Sequence, residues 1–257
     1  MSCAQSLAVS DTGIAYSWGW GESGSTGHGE RAHCLTPTPI AALVGVRIVQ
    51  ASAGSGHSLF VSEGGTLFAC GDCRYGKLGL GKITEDALVP QRVTMPSGVR
   101  VRHASAWHAH SLCVSTTGAL YSFGNGERGR LGHGDERPRW RPNLVKFFSG
   151  SDGLRVRCAA AGELHSCVLT DAGCVYAFGD CSLGQTGHDV FGPLLTPTCV
   201  RGPLAMERVA ELAVGDHHTL VRTVDGSLLA FGKNLEGQLG LGRSGYGVWT
   251  PSRVRWE

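Results

Sequence analysis

The sequence carries little net charge and no long hydrophobic run. Its 23 Lys and Arg oppose 21 Asp and Glu, a net charge of +2, which is too small for the total to indicate a nucleic-acid-binding protein. No stretch reaches the roughly 18 consecutive apolar residues that a membrane helix needs. The first residues also lack the basic and apolar segments of an export signal. We therefore expect no membrane partner, and a location in the cytoplasm or the nucleus.

The common signatures of catalysis are missing as well. No Ser-His-Asp order, phosphate-binding loop or paired-carboxylate motif stands out. Cys70 and Cys73 form a single CxxC pair, and two ligands do not complete a tetrahedral zinc site. We predict no cofactor, no metal and no catalytic residues.

Ten cysteines are present without an export signal. A disulfide framework belongs to small secreted domains, whereas a chain of this length can build a core of its own. Cys70, Cys113, Cys167, Cys174 and Cys199 lie within apolar strand patterns. We interpret them as reduced cysteines that act as small hydrophobic residues.

Glycine is abundant, at 39 residues of 257, about twice the usual share of about 7%. A His followed by Ser or Thr recurs at intervals of 53, 55 and 53 positions, and Gln5 holds the same position 52 residues before the first His. A glycine follows each of these five positions 14 residues later. The recurring residues that we assign to structural positions are His57, His110, His165, His218, Gly71, Gly124, Gly179 and Gly232.

Each repeat has the pattern of strand, turn, strand. The hairpin turns contain pairs such as Asp225-Gly226, which favour a two-residue turn. The strand after each turn alternates a large, a small and a large residue, with Ala69, Ala177 and Ala230 among the small ones. This spacing predicts sheets that are packed on both faces. The approximate repeat bounds are 1–46, 47–98, 99–153, 154–207 and 208–257, and we treat 1–257 as one domain.

The repeat resembles that of the regulator of chromosome condensation family, whose repeats commonly end in Gly-Gln-Leu-Gly. Residues Gly237-Gln238-Leu239-Gly240 reproduce this ending. The resemblance implies an all-β fold, a β-propeller of four-stranded blades, of which the family normally has seven. Five repeats of about 53 residues leave three alternatives open. The chain is part of a longer propeller, or five units close with one incomplete blade, or an open arc leaves faces for a partner or a second copy to cover.

The repeated His has two possible roles. A ring of imidazoles could bind metal or transfer protons, but equivalent positions in successive blades are rotated away from one another. We favour a structural His whose ring nitrogens bond backbone groups, beside a Ser or Thr that does the same.

One segment differs from the other repeats, because it is rich in arginine around a tryptophan. We place it in an exposed loop. There an arginine can bind phosphate or carboxylate through two hydrogen bonds, and a tryptophan can stack on a planar group of a partner. Trp140 and Trp249 are assigned to unlike positions of the repeat. The alternative is a solvated loop with internal ion pairs. The predicted binding residues are Arg128, Arg130, Arg137, Arg139, Trp140 and Arg141.

The resemblance implies three kinds of function. The first is a non-enzymatic interaction scaffold, alone or within a larger assembly such as a ubiquitin ligase. The second is guanine-nucleotide exchange on a small GTPase of the Ran type, the activity of the founding member. The third is docking to chromatin or another acidic surface through the arginine segment. Oligomeric state and partner are left open.

Overall fold

The computed structural model describes residues 4–149, 154–190 and 192–255. These residues form nineteen strands in five antiparallel sheets, which we call blades 1 to 5 in chain order. The chain divides into two compact units. Unit 1 is Met1–Asn125 with Pro138–Leu144, and unit 2 is Gly126–Arg137 with Val145–Glu257.

Unit 1 contains blades 1 to 3. Blade 1 has three strands in the described residues: β1 (Gln5–Val9), β2 (Ala15–Gly19) and β3 (Cys34–Pro39). Blade 2 has β4 (Ile48–Ala53), β5 (His57–Ser62), β6 (Leu67–Gly71) and β7 (Ala87–Arg92). Blade 3 has β8 (Val101–Ala106), β9 (His110–Ser115), β10 (Leu120–Gly124) and β11 (Arg139–Leu144). Short 3₁₀ turns span Ala41–Leu43 and Arg74–Gly76.

Unit 2 contains blades 4 and 5. Blade 4 has β12 (Val156–Ala161), β13 (His165–Thr170), β14 (Val175–Gly179) and β15 (Leu194–Cys199). Blade 5 has β16 (Val209–Val214), β17 (His218–Thr223), β18 (Leu228–Asn234) and β19 (Gly245–Arg253). Its 3₁₀ turns span Glu127–Gly129, Lys146–Ser149 and Gly202–Met206.

The hairpin turns contain three residues, not the predicted two. Thr223 N–H donates to Ser227 O at 2.9 Å, and Gly226 N–H donates to Thr223 O at 3.0 Å. Gly226 has φ +90°, the left-handed conformation that a three-residue hairpin places before its second strand. The Asp-Gly pair therefore predicted the hairpin correctly, but its loop is one residue longer.

Within each unit, the cores lie between successive sheets. In unit 1, Leu59 and Val61 of blade 2 pack in one cluster with Val101, Ala104 and Ala106 of blade 3. Ala69 and its counterparts at the small position are fully buried, which confirms that the sheets are packed on both faces. The nine described cysteines are free thiols, and Cys3 lies outside the described residues.

Candidate functional site

The four glycines predicted as structural lie opposite the four repeated histidines. Gly71 pairs with His57 in the β5–β6 ladder, and Gly124, Gly179 and Gly232 pair with their histidines in the same register. All four have φ between 107° and 112°. A Cβ built on Gly71 would lie 2.3 Å from Gly56 O. Both the left-handed backbone and the close carbonyl require glycine here.

The His57 ring reaches from blade 2 to blade 3. Its Nε2 lies 3.0 Å from Ser111 Oγ, and Ser111 Oγ donates to Lys77 O at 2.7 Å. A hydroxyl has a single proton to donate, and the Lys77 carbonyl receives it. Nε2 of His57 must therefore be the donor to Ser111, which makes the ring the neutral Nε2–H tautomer. The Nε2 atom of this residue therefore bonds a hydroxyl of the next blade, a partner that the sequence did not indicate.

The same arrangement recurs in unit 2. His165 Nε2 lies 3.2 Å from Thr219 Oγ1, which donates to Gln185 O at 3.0 Å. Burial lowers the pKa of both His57 and His165 to about 3, and the nearby Lys77 charge adds to the effect at His57. A buried imidazole that stays neutral at pH 7 suits a structural donor and does not suit a group that titrates near neutrality.

A glycine three residues before the His provides space for the ring. A Cβ on Gly54 would lie 2.2 Å from His57 Cε1, and Gly162 and Gly215 are equally close to their histidines. Trp107 holds this position in blade 3, where His110 is also fully buried. The GxxH spacing thus reflects a steric contact with the imidazole.

No group of three or more His, Cys, Asp or Glu is placed to hold a metal ion, as far as residues 4–149, 154–190 and 192–255 show. Burial raises the pKa of the Cys70 and Cys73 thiols, which opposes formation of the thiolate that a metal needs.

The arginine segment is a strand where we predicted an exposed loop. Arg139, Trp140 and Arg141 begin β11, the last strand of blade 3, and Arg139 pairs with Gly124. The prediction failed because the six-residue segment carries proline and charge, which are rare in central strands but tolerated in an edge strand.

Trp140 occupies a regular position of the repeat. It packs on the turn of the preceding repeat, where a Cβ on Gly76 would lie 2.7 Å from Trp140 Cα, and Gly81 N–H donates to Trp140 O at 2.8 Å. Trp249 holds the equivalent position in β19, next to Gly184. The assignment of the two tryptophans to unlike positions was therefore wrong. The equivalent residues in the other three repeats are Leu35, Leu88 and Leu195.

The turn beside Trp140 adds a basic and an aromatic side chain that the sequence analysis missed. Arg74 and Tyr75 directly precede Gly76, with exposed fractions of 75% for the Arg74 side chain and 51% for Tyr75. Tyr75 has φ 61°, a conformation that is uncommon for a bulky residue and concentrates at functional sites. We call Arg74, Tyr75, Arg139, Trp140 and Arg141 the basic strip.

A buried carboxylate anchors this turn. Asp72 Oδ2 accepts from Lys77 Nζ at 2.6 Å and from Arg74 Nη2 at 2.7 Å. Burial acts to raise the pKa of Asp72, but the hydrogen bonds from Arg74 and Lys77 outweigh it and hold the pKa below its usual range. Two cationic side chains, Lys77 and Arg74, thus fix one carboxylate at the base of the turn.

Arg128, Arg130 and Arg137 belong to unit 2, and they differ in exposure. Arg128, with φ 60°, and Arg137 are exposed. Arg130 has only 1% of its side chain exposed, and it donates to Glu127 O at 2.8 Å and Glu163 O at 3.1 Å. It lies at the repeat position of Lys77 and Gln185, an alignment that signals an internal role. We therefore remove Arg130 from the predicted binding residues.

Among the described residues, no helix is long and apolar enough to cross a membrane.

Comparison with known proteins places the chain in a family. The profile of the Regulator of chromosome condensation (RCC1) repeat matches residues 12–61, 64–114 and 117–169, and a second RCC1 profile matches 48–77, 156–185 and 209–238. The Ultraviolet-B receptor UVR8 of Arabidopsis thaliana is 36% identical over 239 residues, which cover 93% of this chain and 53% of that protein. The human E3 ubiquitin-protein ligase HERC2 is 35% identical over 92% of this chain but only 5% of its own length.

A solved structure shows the same fold. Human WBSCR16 superposes with a TM-score of 0.86 at 26% identity, over 98% of this chain and 65% of the other. The chain thus spans about half the length of UVR8 and about two thirds of the WBSCR16 chain. The predicted fold class, an all-β propeller of about five blades, is confirmed. The chain belongs to the RCC1 repeat family.

Proposed function

We propose that this chain is a protein-interaction module that binds an acidic segment of a partner protein on the basic strip of unit 1. The repeated His57, His110 and His165 are buried. Binding of a partner therefore has to involve other, exposed side chains. A fold of this kind supports many functions, so the proposal rests on the site.

The observation that carries the proposal is that the Arg141 side chain is exposed and has no ion-pair partner among the described residues. It lies over Gly81, where a Cβ would be 3.0 Å from Arg141 Nη2. Within the part of the chain that the structure describes, this guanidinium has no carboxylate partner. An exposed guanidinium without a carboxylate partner suits bidentate binding of a carboxylate from a partner protein.

The other residues of the strip support the same chemistry. Arg74 is ion-paired to Asp72, yet most of its side chain is in solvent. Tyr75 supplies an exposed aromatic surface in a conformation that costs on the order of 1–3 kcal/mol. An aromatic and arginine-rich surface is typical of protein interfaces.

The experiment measures binding of fluorescein-labelled polyglutamate by fluorescence anisotropy at low and moderate salt. We expect salt-sensitive binding that Arg141→Glu weakens by about five- to tenfold. Arg92→Glu makes the same charge change at an exposed arginine of β7 outside the strip, and should bind like the unmodified chain. Trp140→Leu introduces the residue that Leu88 and Leu195 provide, so it tests the aromatic ring without disturbing the packing.

Two further probes separate the alternatives. A DNA duplex that binds more tightly than polyglutamate, and loses binding in Arg141→Glu, would make the strip a nucleic-acid surface and overturn the proposal. Accelerated nucleotide release from a Ran-type small GTPase, unaffected by Arg141→Glu, would place the function elsewhere. Polyglutamate affinity that is equal in Arg141→Glu and Arg92→Glu would also contradict it. Membership in a larger ligase assembly, suggested by HERC2, remains compatible with docking through the strip.

A further inference from the structure

Trp140 has a counterpart in unit 2 that lacks its basic neighbours. Both tryptophans occupy the outer-strand position that packs on a turn glycine of the preceding repeat, with 2.7–2.8 Å between a built Cβ on the glycine and the Cα of the outer-strand residue. The four pairs of this kind are Gly24 with Leu88, Gly76 with Trp140, Gly129 with Leu195 and Gly184 with Trp249. Arginines flank Trp140 in the sequence, whereas a valine and a threonine flank Trp249.

Trp249 lines a cavity of about 450 Å³ beside the turn of blade 4. Sites for small ligands have volumes of about 300–1,000 Å³, so the cavity has room for a side chain of a partner. The other described residues that line it are Cys181, Ser182, Asp189, Val190 and Gly192. Asp189 is the charged residue of this set, and none of the described lining residues is basic. The described walls are therefore negatively charged at pH 7.

The Asp189 carboxylate is free to bind a cation. It is exposed, and it has no hydrogen-bond or ion-pair partner among the described residues. The adjacent His188 directs its ring to backbone carbonyls instead, with Nδ1 2.8 Å from Thr186 O and Nε2 3.0 Å from Cys199 O. A carboxylate in this state can accept charge-assisted hydrogen bonds from a group outside the chain.

A second aromatic ring adjoins Trp249. Tyr246 stacks on it with 6.4 Å between the ring centroids and 23° between the ring planes, and 62% of Tyr246 is exposed. Aromatic rings attract cations to their faces, and tryptophan does so most strongly. The two rings and the Asp189 carboxylate therefore favour the same charge in a ligand. We call Asp189, Tyr246 and Trp249 the acidic aromatic site.

The exposure of this site is a property of the repeat. The site lies where blade 4 meets blade 5, and the equivalent place where blade 2 meets blade 3 leaves Trp140 half-buried, as Trp249 is. Glu85 holds the position of Tyr246 in blade 2, and it is exposed although blade 3 follows it. The groups of the acidic aromatic site are thus open to solvent at positions that remain open between complete neighbours.

We propose that the acidic aromatic site binds an arginine side chain from a basic segment of a partner protein. The guanidinium lies on the Trp249 ring and donates two hydrogen bonds to the Asp189 carboxylate. A planar guanidinium can stack on an aromatic face and bind a carboxylate through both arms of its fork, whereas a lysine ammonium has no such plane. The ligand is of opposite charge to the one that the basic strip would bind, and the two sites share no residue.

The test is isothermal titration calorimetry of the purified chain with a hexa-arginine peptide that has blocked termini. We expect binding that weakens as salt is added. Asp189→Asn removes the charge at nearly constant size and should weaken binding about three- to tenfold. Glu236→Gln also removes one negative charge from an exposed residue of unit 2, outside the site, and should bind like the unmodified chain.

Trp249→Leu tests the aromatic ring. Leu88 and Leu195 hold the same position in other repeats, so leucine should maintain the packing on the turn while binding weakens about two- to fivefold. Trp140→Leu makes the same change in unit 1 and should leave hexa-arginine affinity unaltered. If Trp249→Leu unfolds at a lower temperature than Trp140→Leu, Tyr246→Ala replaces it, since this ring is exposed.

A hexalysine peptide with blocked termini distinguishes a guanidinium site from a general attraction of cations. We expect it to bind more weakly than hexa-arginine and to lose less affinity in Trp249→Leu. Hexalysine that binds as tightly as hexa-arginine, equal hexa-arginine affinities of Asp189→Asn and Glu236→Gln, or no binding by the folded unmodified chain would overturn the proposal. Polyglutamate binding to the basic strip is measured separately, so either proposal can fail alone.

Discussion

His57 Nε2 and Ser111 Oγ, 54 positions apart in the sequence, are 3.0 Å apart in the structure. The hydroxyl donates its own hydrogen bond to Lys77 O, so one side chain of blade 3 satisfies two buried groups of blade 2. Contacts of this kind tie blade 2 to blade 3 and blade 4 to blade 5 through buried polar atoms. Their loss is expected to lower the free energy of unfolding.

Ser111→Ala should therefore destabilise the protein by about 1–3 kcal/mol, because it leaves the His57 N–H and the Lys77 carbonyl without a partner. Urea unfolding at pH 7 measures the change. Thr219→Val is expected to have a similar effect in unit 2. Ser97→Ala removes an exposed hydroxyl in unit 1 and should be close to neutral. Equal unfolding midpoints for Ser111→Ala and Ser97→Ala would contradict the assigned role.

The pKa of about 3 for His57 predicts how stability depends on pH. Burial places this pKa below the ordinary value of 6.5, so between these values the unfolded chain binds a proton that the folded chain does not. Stability is full above about pH 6.5 and falls as the pH is lowered toward 3, by about 1.4 kcal/mol per unit for this residue.

His57→Gln should flatten this dependence, because an amide does not titrate and Gln5 already holds the equivalent position in blade 1. Gln5 Nε2 donates to Gly54 O at 2.8 Å, which shows that an amide can act as donor at this position. Urea unfolding of both proteins at pH 7, 6 and 5 gives the two slopes. Parallel slopes would show that His57 titrates normally in the folded state.

Gly54→Ala should lower stability by about 1–3 kcal/mol, since the added methyl group overlaps the His57 ring. Gly64→Ala is the matched control, because its Cβ would meet only Ser62 Oγ at 3.8 Å. It should be neutral or stabilising by up to about 1 kcal/mol. Thermal unfolding followed by circular dichroism distinguishes them, and comparable melting temperatures would show that the ring moves aside without penalty.

Arg130→Ala and Arg128→Ala separate a buried arginine from an exposed one two residues away. Loss of the Arg130 guanidinium leaves Glu127 O and Glu163 O without a donor, which should cost about 1.5–3 kcal/mol. Arg128→Ala should leave the unfolding midpoint unchanged. A stable Arg130→Ala protein would mean that water replaces these bonds, and would restore Arg130 as a candidate surface residue.

The sequence pattern was sufficient for the repeat, the hairpins and the packing of both sheet faces, because these depend on residues close together in the chain. Ala69 between Phe68 and Cys70 already implies a crowded strand. The partner of His57 could not be read in this way, since a bond between equivalent points of successive repeats depends on how the sheets stack. For the same reason Arg130 looked like a surface charge until its alignment with Lys77 and Gln185 gave it an interior position.

The basic strip shows a second limit of sequence reasoning. Arg139, Trp140 and Arg141 were selected because arginines surround a tryptophan in the sequence. Arg74 and Tyr75 come from another repeat and join them through the contact between Gly76 and Trp140. The burial of Trp140 against that turn explains why a tryptophan can replace leucine there. The sequence alone gives the composition of the strip only in part.

The recurrence of the contact between Gly76 and Trp140 at Gly24, Gly129 and Gly184 has an evolutionary consequence. The same contact joins the glycine turn of one repeat to the outer strand of the next, so a gene duplication or deletion of one whole unit would bring the same two positions together again. Blade number can then change in a single genetic event without a newly selected interface. Insertions that are not a whole repeat long would lack this property and should be confined to the turns.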